Sequence, residues 1–153
     1  MEGIRTAGKA IIITEGRLLV TVNHDEKGTF YLLPGGGQHP GETLAEALVR
    51  ECREEIGAKV AVGDLLFVRD YIGAHHEFAA SEPDIHQIEL MFRCRLLPGE
   101  IPSNGAAPDS WQTGVTWIGL HELASARFYP AALVPHLLTL QNDVTPVYLG
   151  DVN

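Results

Sequence analysis

Apolar and polar positions along this chain repeat with two periods, and the period marks the element. Residues 7–14 and 18–22 are β-branched and apolar on either side of Glu15-Gly16-Arg17, which predicts two strands joined as a β-hairpin. A loop over Asp25-Glu26-Lys27-Gly28 leads to a short strand over residues 29–33. Pro34-Gly35-Gly36-Gly37 then ends it, because proline lacks the ladder donor and glycine resists regular structure. Further strands are predicted over residues 59–62, 65–71, 85–97 and 115–118. Residues 73–84 read as a polar loop and 98–112, rich in Pro, Gly, Asn and Ser, as a second one. Helices are predicted over 120–126 and over 131–140, the latter despite Pro135. No internal repeat or low-complexity segment interrupts this order.

The one long helical period covers residues 43–56, with Gly57 at the stop position. On a wheel advancing about 100° per residue, Leu44, Ala45, Leu48, Val49, Cys52 and Ile56 fall within roughly 140°, the width of a core-facing stripe. Thr43, Glu46, Ala47, Arg50 and Arg53 fall elsewhere, and Glu46 with Arg50 makes a favourable i,i+4 pair of about 0.3 kcal/mol. Glu51, Glu54 and Glu55 break the pattern. Glu51 and Glu55 stack on one face, Glu54 flanks them, and all three sit in the last two turns, where the macrodipole disfavours anions. Glu55 also projects at the edge of the apolar stripe, where a carboxylate needs a compensating cation. A solvated acidic face is the plain reading. A hard cation with oxygen ligands, Mg²⁺ or Mn²⁺, is the other. Strands around one central helix, with helices at the end, predict an α/β fold with a mixed sheet between helices.

Composition narrows the partners. The 153 residues suit one domain, residues 1–153, and 45% hydrophobic content gives it a core. A formal net charge of -9 argues against nucleic acid, which is held through Lys and Arg, and against a polybasic membrane anchor. Met1-Glu2-Gly3-Ile4-Arg5 lacks the apolar core of a signal peptide, and no apolar run reaches the length of a membrane span. Cys52 and Cys94 form no CxxC pair and read as reduced, buried thiols of a cytoplasmic protein.

Pro34-Gly35-Gly36-Gly37-Gln38-His39-Pro40-Gly41-Glu42 precedes the helix, and glycines let backbone approach a phosphate or a metal closely. It is not a Walker loop, since no GK[ST] follows, nor a GxGxxG fingerprint. Gly36, five residues, Glu42, seven residues, then Arg50-Glu51-Cys52-Arg53-Glu54-Glu55-Ile56-Gly57-Ala58 resembles the Nudix box, Gx5Ex7REUxEExGU, over residues 36–58. The pattern's bulky aliphatic positions hold the small residues Cys52 and Ala58, a departure that touches packing more than chemistry. The Leu-Pro-Gly-Gly-Gly entry, the strand order and Val115-Thr116-Trp117-Ile118 before a Glu-Leu helix are similar to the family too.

The resemblance implies a Nudix-like α/β/α sandwich. It implies hydrolysis of a phosphoanhydride bond in a nucleoside diphosphate linked to a moiety X: a nucleoside triphosphate, a nucleotide sugar or a related small diphosphate. A nucleotide-binding regulatory domain without catalysis is the alternative, and degenerate members of that kind lose box carboxylates that this chain keeps. The resemblance further implies Mg²⁺ (or Mn²⁺) on Glu51, Glu54, Glu55 and a carbonyl near Gly35 or Gly36, with Arg50 and Glu42 tying loop to helix. The catalytic set is then Glu51, Glu54, Glu55 and Arg50, and the partner is a small-molecule nucleotide; a homodimer is compatible with it. The proline found some sixteen residues past the box in ADP-ribose hydrolases is absent, Gly73-Ala74 standing there, as are the motifs of NADH and coenzyme A hydrolases.

The general base stays open among Glu51, Glu54, Glu77, Glu82, Asp84, Glu89 and Asp109. Glu89 alternates with Ile88 and Leu90, and a solvated strand face is its expected fate. His75, His76 and His86 suggest zinc only weakly, since His121-Glu122 lacks the second His of HExxH; a polar loop at the mouth of the site is the expectation. Arg5, Arg17, Arg69, Arg93 and Arg95 are candidate phosphate contacts, and Trp111, Tyr71 and Phe128 candidate base-stacking residues, against the plain readings of surface arginine and buried aromatic.

Overall fold

The computed structural model describes residues 3–140 and 146–153. Met1 and Glu2 of the segment read as lacking a leader lie outside the described residues. Among the described residues, ten strands form two sheets. The first runs β10 (Tyr148–Asp151), β6 (Val60–Ile72), β7 (His86–Leu96), β1 (Arg5–Ile11), β5 (Gly35–Gly37). It is mixed: β1 lies parallel to β7 and β10 parallel to β6, while β6–β7 and β1–β5 are antiparallel. The second sheet centres on β3 (Arg17–Asp25), which pairs with β2 (Ile13–Thr14), β4 (Gly28–Leu32) and β8 (Gln112–Gly119), while β9 (Phe128–Tyr129) lies against β4. Helix α1 (Leu44–Ile56) follows β5, and the short α2 (Val134–Leu138) precedes β10.

Residues 10–12 are apolar without alternation because both faces of the β layer are covered. Ala10 and Ile12 pack with Leu19, Leu48, Cys52 and Ile56 under α1. Ile11 packs oppositely with Phe67, Met91, Phe128, Leu133 and Leu137, under the helical turns near the C-terminus. The result is the expected α/β arrangement, mixed sheets with helices on either side. Each fully buried Leu, Ile or Phe contributes about 1.5–3 kcal/mol, so these two clusters carry the fold. Cys52 and Cys94 are both free and buried, as expected. Among the described residues no helix is long and apolar enough to cross a membrane.

Several element boundaries differ from the periodicity. The hairpin is β2–β3, turning through Glu15 and Gly16, both at positive φ; β1 leaves it at Ile12 and joins the other sheet. The glycine triplet does not merely stop a strand. It pairs as β5 with β1, because only a residue without Cβ fits there: a Cβ on Gly35, at φ 138°, would overlap the Gly8 carbonyl. The strands read at 59–62 and 65–71 are one strand, β6, with register shifts between Val62 and Phe67. Within the helix read at 120–126, Leu120–Ser125 form a 3₁₀ turn rather than an α-helix, as does Ala131–Leu133, and α2 tolerates Pro135 because it lies in the first turn.

Helix α1 matches its reading. The Thr43 hydroxyl accepts from the Glu46 amide at 3.1 Å, and Gly57 ends the helix at φ 61°, ψ 26°. Its buried face takes Ala47 instead of Ala45, rotating the stripe toward Glu55, which is buried among it.

Candidate active site

Strand β5 and helix α1 bring the glycine segment against the acidic turns. The Glu51 carboxylate lies directly over Gly36, its Cδ only 2.5 Å from where a Cβ of residue 36 would stand. The Glu55 Oε1 accepts the Gly35 amide at 2.9 Å. Neither approach is available to a residue with a side chain at 35 or 36.

Arg50 ties this together. Its Nε and Nη2 grip both oxygens of Glu42, at 2.7 and 3.0 Å, and Nη2 also donates to the Gly37 carbonyl at 2.9 Å. Its Nη1 donates to Glu51 at 3.0 Å and reaches Glu54 at 3.4 Å. Glu42 also accepts the His39 amide at 2.8 Å. The Arg50 guanidinium, then the His39 amide, hold the Glu42 carboxyl down at about 2. The i,i+4 pairing of Arg50 with Glu46 gives way to this set, because Glu42 offers a planar fork two oxygens to grip.

Glu55 is electrostatically unlike its neighbours. Only 4% exposed, it has lost the water that would stabilise its charge, and burial pushes its carboxyl up to about 8. The Lys9 ammonium and the Gly35 amide pull the other way, and the adjacent Asp109 carboxyl raises it further. Glu54 stays solvent-accessible, its side chain 41% exposed. Carboxylates and backbone carbonyls are hard oxygen donors, and their chemistry fits Mg²⁺ or Mn²⁺. As they stand, no three His, Cys, Asp or Glu side chains among the described residues converge tightly enough to hold an ion. Arg50 Nη1 lies between Glu51 and Glu54 and takes up their oxygens.

The other sequence candidates divide sharply. Glu89 is not solvated: it is buried and paired with Arg69 Nε at 2.8 Å, with Gln87 donating to its second oxygen at 2.8 Å. Its carboxyl is held below the usual range: burial opposes the ionised form, and Arg69 and Lys9 outweigh it. Alternation correctly separated Glu89 from Ile88 and Leu90 but could not say which face was covered. Arg69 is thereby committed, its Nη1 donating to the Val152 carbonyl at 2.6 Å. Glu82 accepts from Tyr71 at 2.6 Å, and Glu77 is taken by Tyr129, Arg127 at 3.1 Å and Lys27. Asp84 lies exposed in the turn before β7. Of the general-base candidates, Asp109 alone comes to Glu55 from outside the box.

His75, His76 and His86 do not line the glycine segment. His75 and His76 hold Asp151 at 2.7 and 2.5 Å, and His86 holds Asp70 at 2.7 Å, along the β10–β6 edge, the opposite end of the sheet from β5. Among the arginines, Arg5 lies over Gly37, its Nη2 2.8 Å from a Cβ there, whereas Arg17, Arg93 and Arg95 are simply exposed. Tyr71 and Phe128 are buried, and Trp111 is 59% exposed. Two residues escaped the sequence reading: Lys9, a cation within the apolar run of β1, and Gln112, a buried amide at the start of β8. Lys9 carried a visible signal; Gln112, at the end of a polar loop, carried none.

Comparison with known proteins agrees with this geometry. The family model described as the NUDIX domain matches residues 4–137. A nucleoside triphosphatase, NudI, of Salmonella agona (strain SL483) is 32% identical over 125 residues, 78% of this chain and 85% of the relative. Among solved structures, a NUDIX hydrolase from Nitrosomonas europaea superposes with a TM-score of 0.70 at 14% identity, covering 91% of this chain and 89% of its own. A MutT NUDIX hydrolase from Burkholderia pseudomallei gives 0.59 at 26% identity, covering 78% and 86%.

Proposed function

This chain belongs to the Nudix hydrolase family, and from that premise we propose that it cleaves a nucleoside triphosphate at a phosphoanhydride bond with Mg²⁺ or Mn²⁺. The family supplies the coarse activity, hydrolysis of a nucleoside diphosphate linked to X. The triphosphatase relative at 32% identity supports the triphosphate. The observation that carries the reading is Glu55: a carboxylate buried beside Asp109, four residues from Glu51, on a glycine segment with no room for side chains.

Glu51, Glu54, Glu55 and the Gly36 carbonyl would hold the cation. When bound, it neutralises substrate phosphate oxygens and lowers the pKa of the attacking water. The chain's own work is positional. Arg50 and Glu42 fix the glycine segment against α1, and Arg5, over Gly37, supplies positive charge for the phosphates. A water oxygen forms the new bond to phosphorus, the anhydride P–O bond breaks, and the phosphate-bearing group leaves with the electron pair. Glu54, the most exposed of the three clustered glutamates, and Asp109, beside Glu55, are placed to take the water's proton; Glu77, Glu82 and Glu89 are engaged elsewhere, Asp84 lies exposed in the turn before β7, and Glu51 is held by Arg50. The buried thiols Cys52 and Cys94 support a cytoplasmic setting. A panel of nucleoside triphosphates, nucleotide sugars and ADP-ribose, assayed with Mg²⁺, tests the substrate class. A triphosphate should turn over fastest, and preference for a nucleotide sugar would reject that assignment.

A further inference from the structure

Helix α1 ends with its last carbonyls pointing away from any helical partner, and such groups need donors from elsewhere. Here one loop supplies them in sequence. Ser103 N donates to Ile56 O at 2.8 Å, Gly105 N to Glu55 O at 3.0 Å, and Ala107 N to Glu54 O at 3.0 Å. The approach is so close that a Cβ on Gly105 would overlap the Glu54 carbonyl oxygen and sit 2.6 Å from its carbon. At the end of the loop, Gln112 is buried, and its Nε2 donates to Glu55 O at 2.7 Å and to Asn104 Oδ1 at 2.8 Å. Its backbone amide closes a turn onto Asp109 O at 2.9 Å, and its Cα pairs with Asn23 of β3.

These contacts form one connection. β3 holds Gln112, Gln112 holds the backbone of Glu55, and the turn it closes fixes Asp109 three residues upstream, against the Glu55 carboxyl. We propose that Gln112 is a positioning residue for the acidic centre, fixing Asp109 relative to Glu55 through the hydrogen bond that its side-chain amide donates to the Glu55 carbonyl at the end of α1. The amide is chemically specific: its two N–H groups serve two acceptors, which neither a carboxylate nor a thioether can do. It also supplies positive N–H dipoles to a helix end that carries three glutamates and the negative pole of the macrodipole.

The inference rests on the proposed hydrolase reading, and the test separates the two. Mn²⁺ binding to the full chain is measured without substrate, by electron paramagnetic resonance, alongside kcat, KM and Tm. Gln112→Met keeps length and removes both donors. Its Mn²⁺ affinity and kcat should each fall ~10-fold, with the nucleotide KM within about twofold, on the scale of losing a group that orients a metal ligand. In an Asp109→Asn background the same substitution should cost little further, because its route runs through Asp109. Unchanged Mn²⁺ affinity and kcat, or an equal additional loss in that background, would overturn the positioning role. Should Gln112→Met fail to fold, Asn104→Ala, at an exposed position, should reproduce the pattern at smaller size, and wild-type values there would overturn the proposal. A wild-type protein that binds no Mn²⁺ would remove both the inference and the hydrolase reading.

Discussion

Glu55→Gln protein should turn over nucleotide at least ~10²-fold more slowly than wild type, the scale of losing one catalytic electrostatic group, while being more heat-stable in metal-free buffer above neutral pH. Both effects come from one carboxyl. With its pKa raised to about 8 from 4.5, Glu55 is neutral in the folded metal-free protein at pH 7 but ionised in the unfolded chain. Between those values the native state holds a proton that the unfolded state has lost, so stability falls as pH rises. The contribution is complete below about pH 4.5 and is lost progressively up to about pH 8. Glutamine cannot ionise. The two proteins should therefore melt alike near pH 5, and the variant should melt ~5 °C or more higher near pH 8. Cation binding reverses the balance by holding the carboxylate ionised, so at neutral pH it should release a proton. Melting curves of wild type that do not move between pH 5 and 8 would show that Glu55 is not buried as described.

Arg50→Lys should cost turnover ~10²-fold and only a few degrees of Tm. The guanidinium grips both Glu42 oxygens, the Gly37 carbonyl and Glu51 at once, from three nitrogens set in a plane. An ammonium has the charge but a single nitrogen, so it keeps the attraction to the carboxylates and loses the simultaneous fit. The stability loss stays small because the pairs are partly solvated, where ion pairs are worth little. The loss of rate is larger because loop and helix would no longer hold one register. Specific activity and Tm on one preparation decide it; a Lys variant with wild-type activity would remove Arg50 from the site.

What was legible in the sequence was local. Helix α1, its Thr43 and Gly57 caps and the crowding of Glu51, Glu54 and Glu55 all follow from spacing within one helix. Even Glu55's turn toward the core appears on the wheel, though not its full burial, which needs β1 and β5 beneath it. What was not legible depends on pairing across the chain. Nothing in Pro34-Gly35-Gly36-Gly37 announces a strand, because the partner that makes it one is β1, where Gly8, 28 residues earlier in sequence, pairs with Gly36. Glu89 read as solvated because alternation assigns residues to faces without saying which face is covered, and its cation, Arg69, is set opposite by register alone. The two-residue β9 and four-residue β10 are too short for any period to show. Gln112 and Lys9 acquire meaning only where they meet α1.

Turnover in chelator, followed by restoration of the cation, tests the assignment of the acidic centre most directly. Wild-type protein with its preferred nucleotide should lose activity in excess chelator and recover it when Mg²⁺ or Mn²⁺ is supplied above the chelator concentration. Full turnover in excess chelator would contradict a centre built on Glu51, Glu54 and Glu55 as cation ligands.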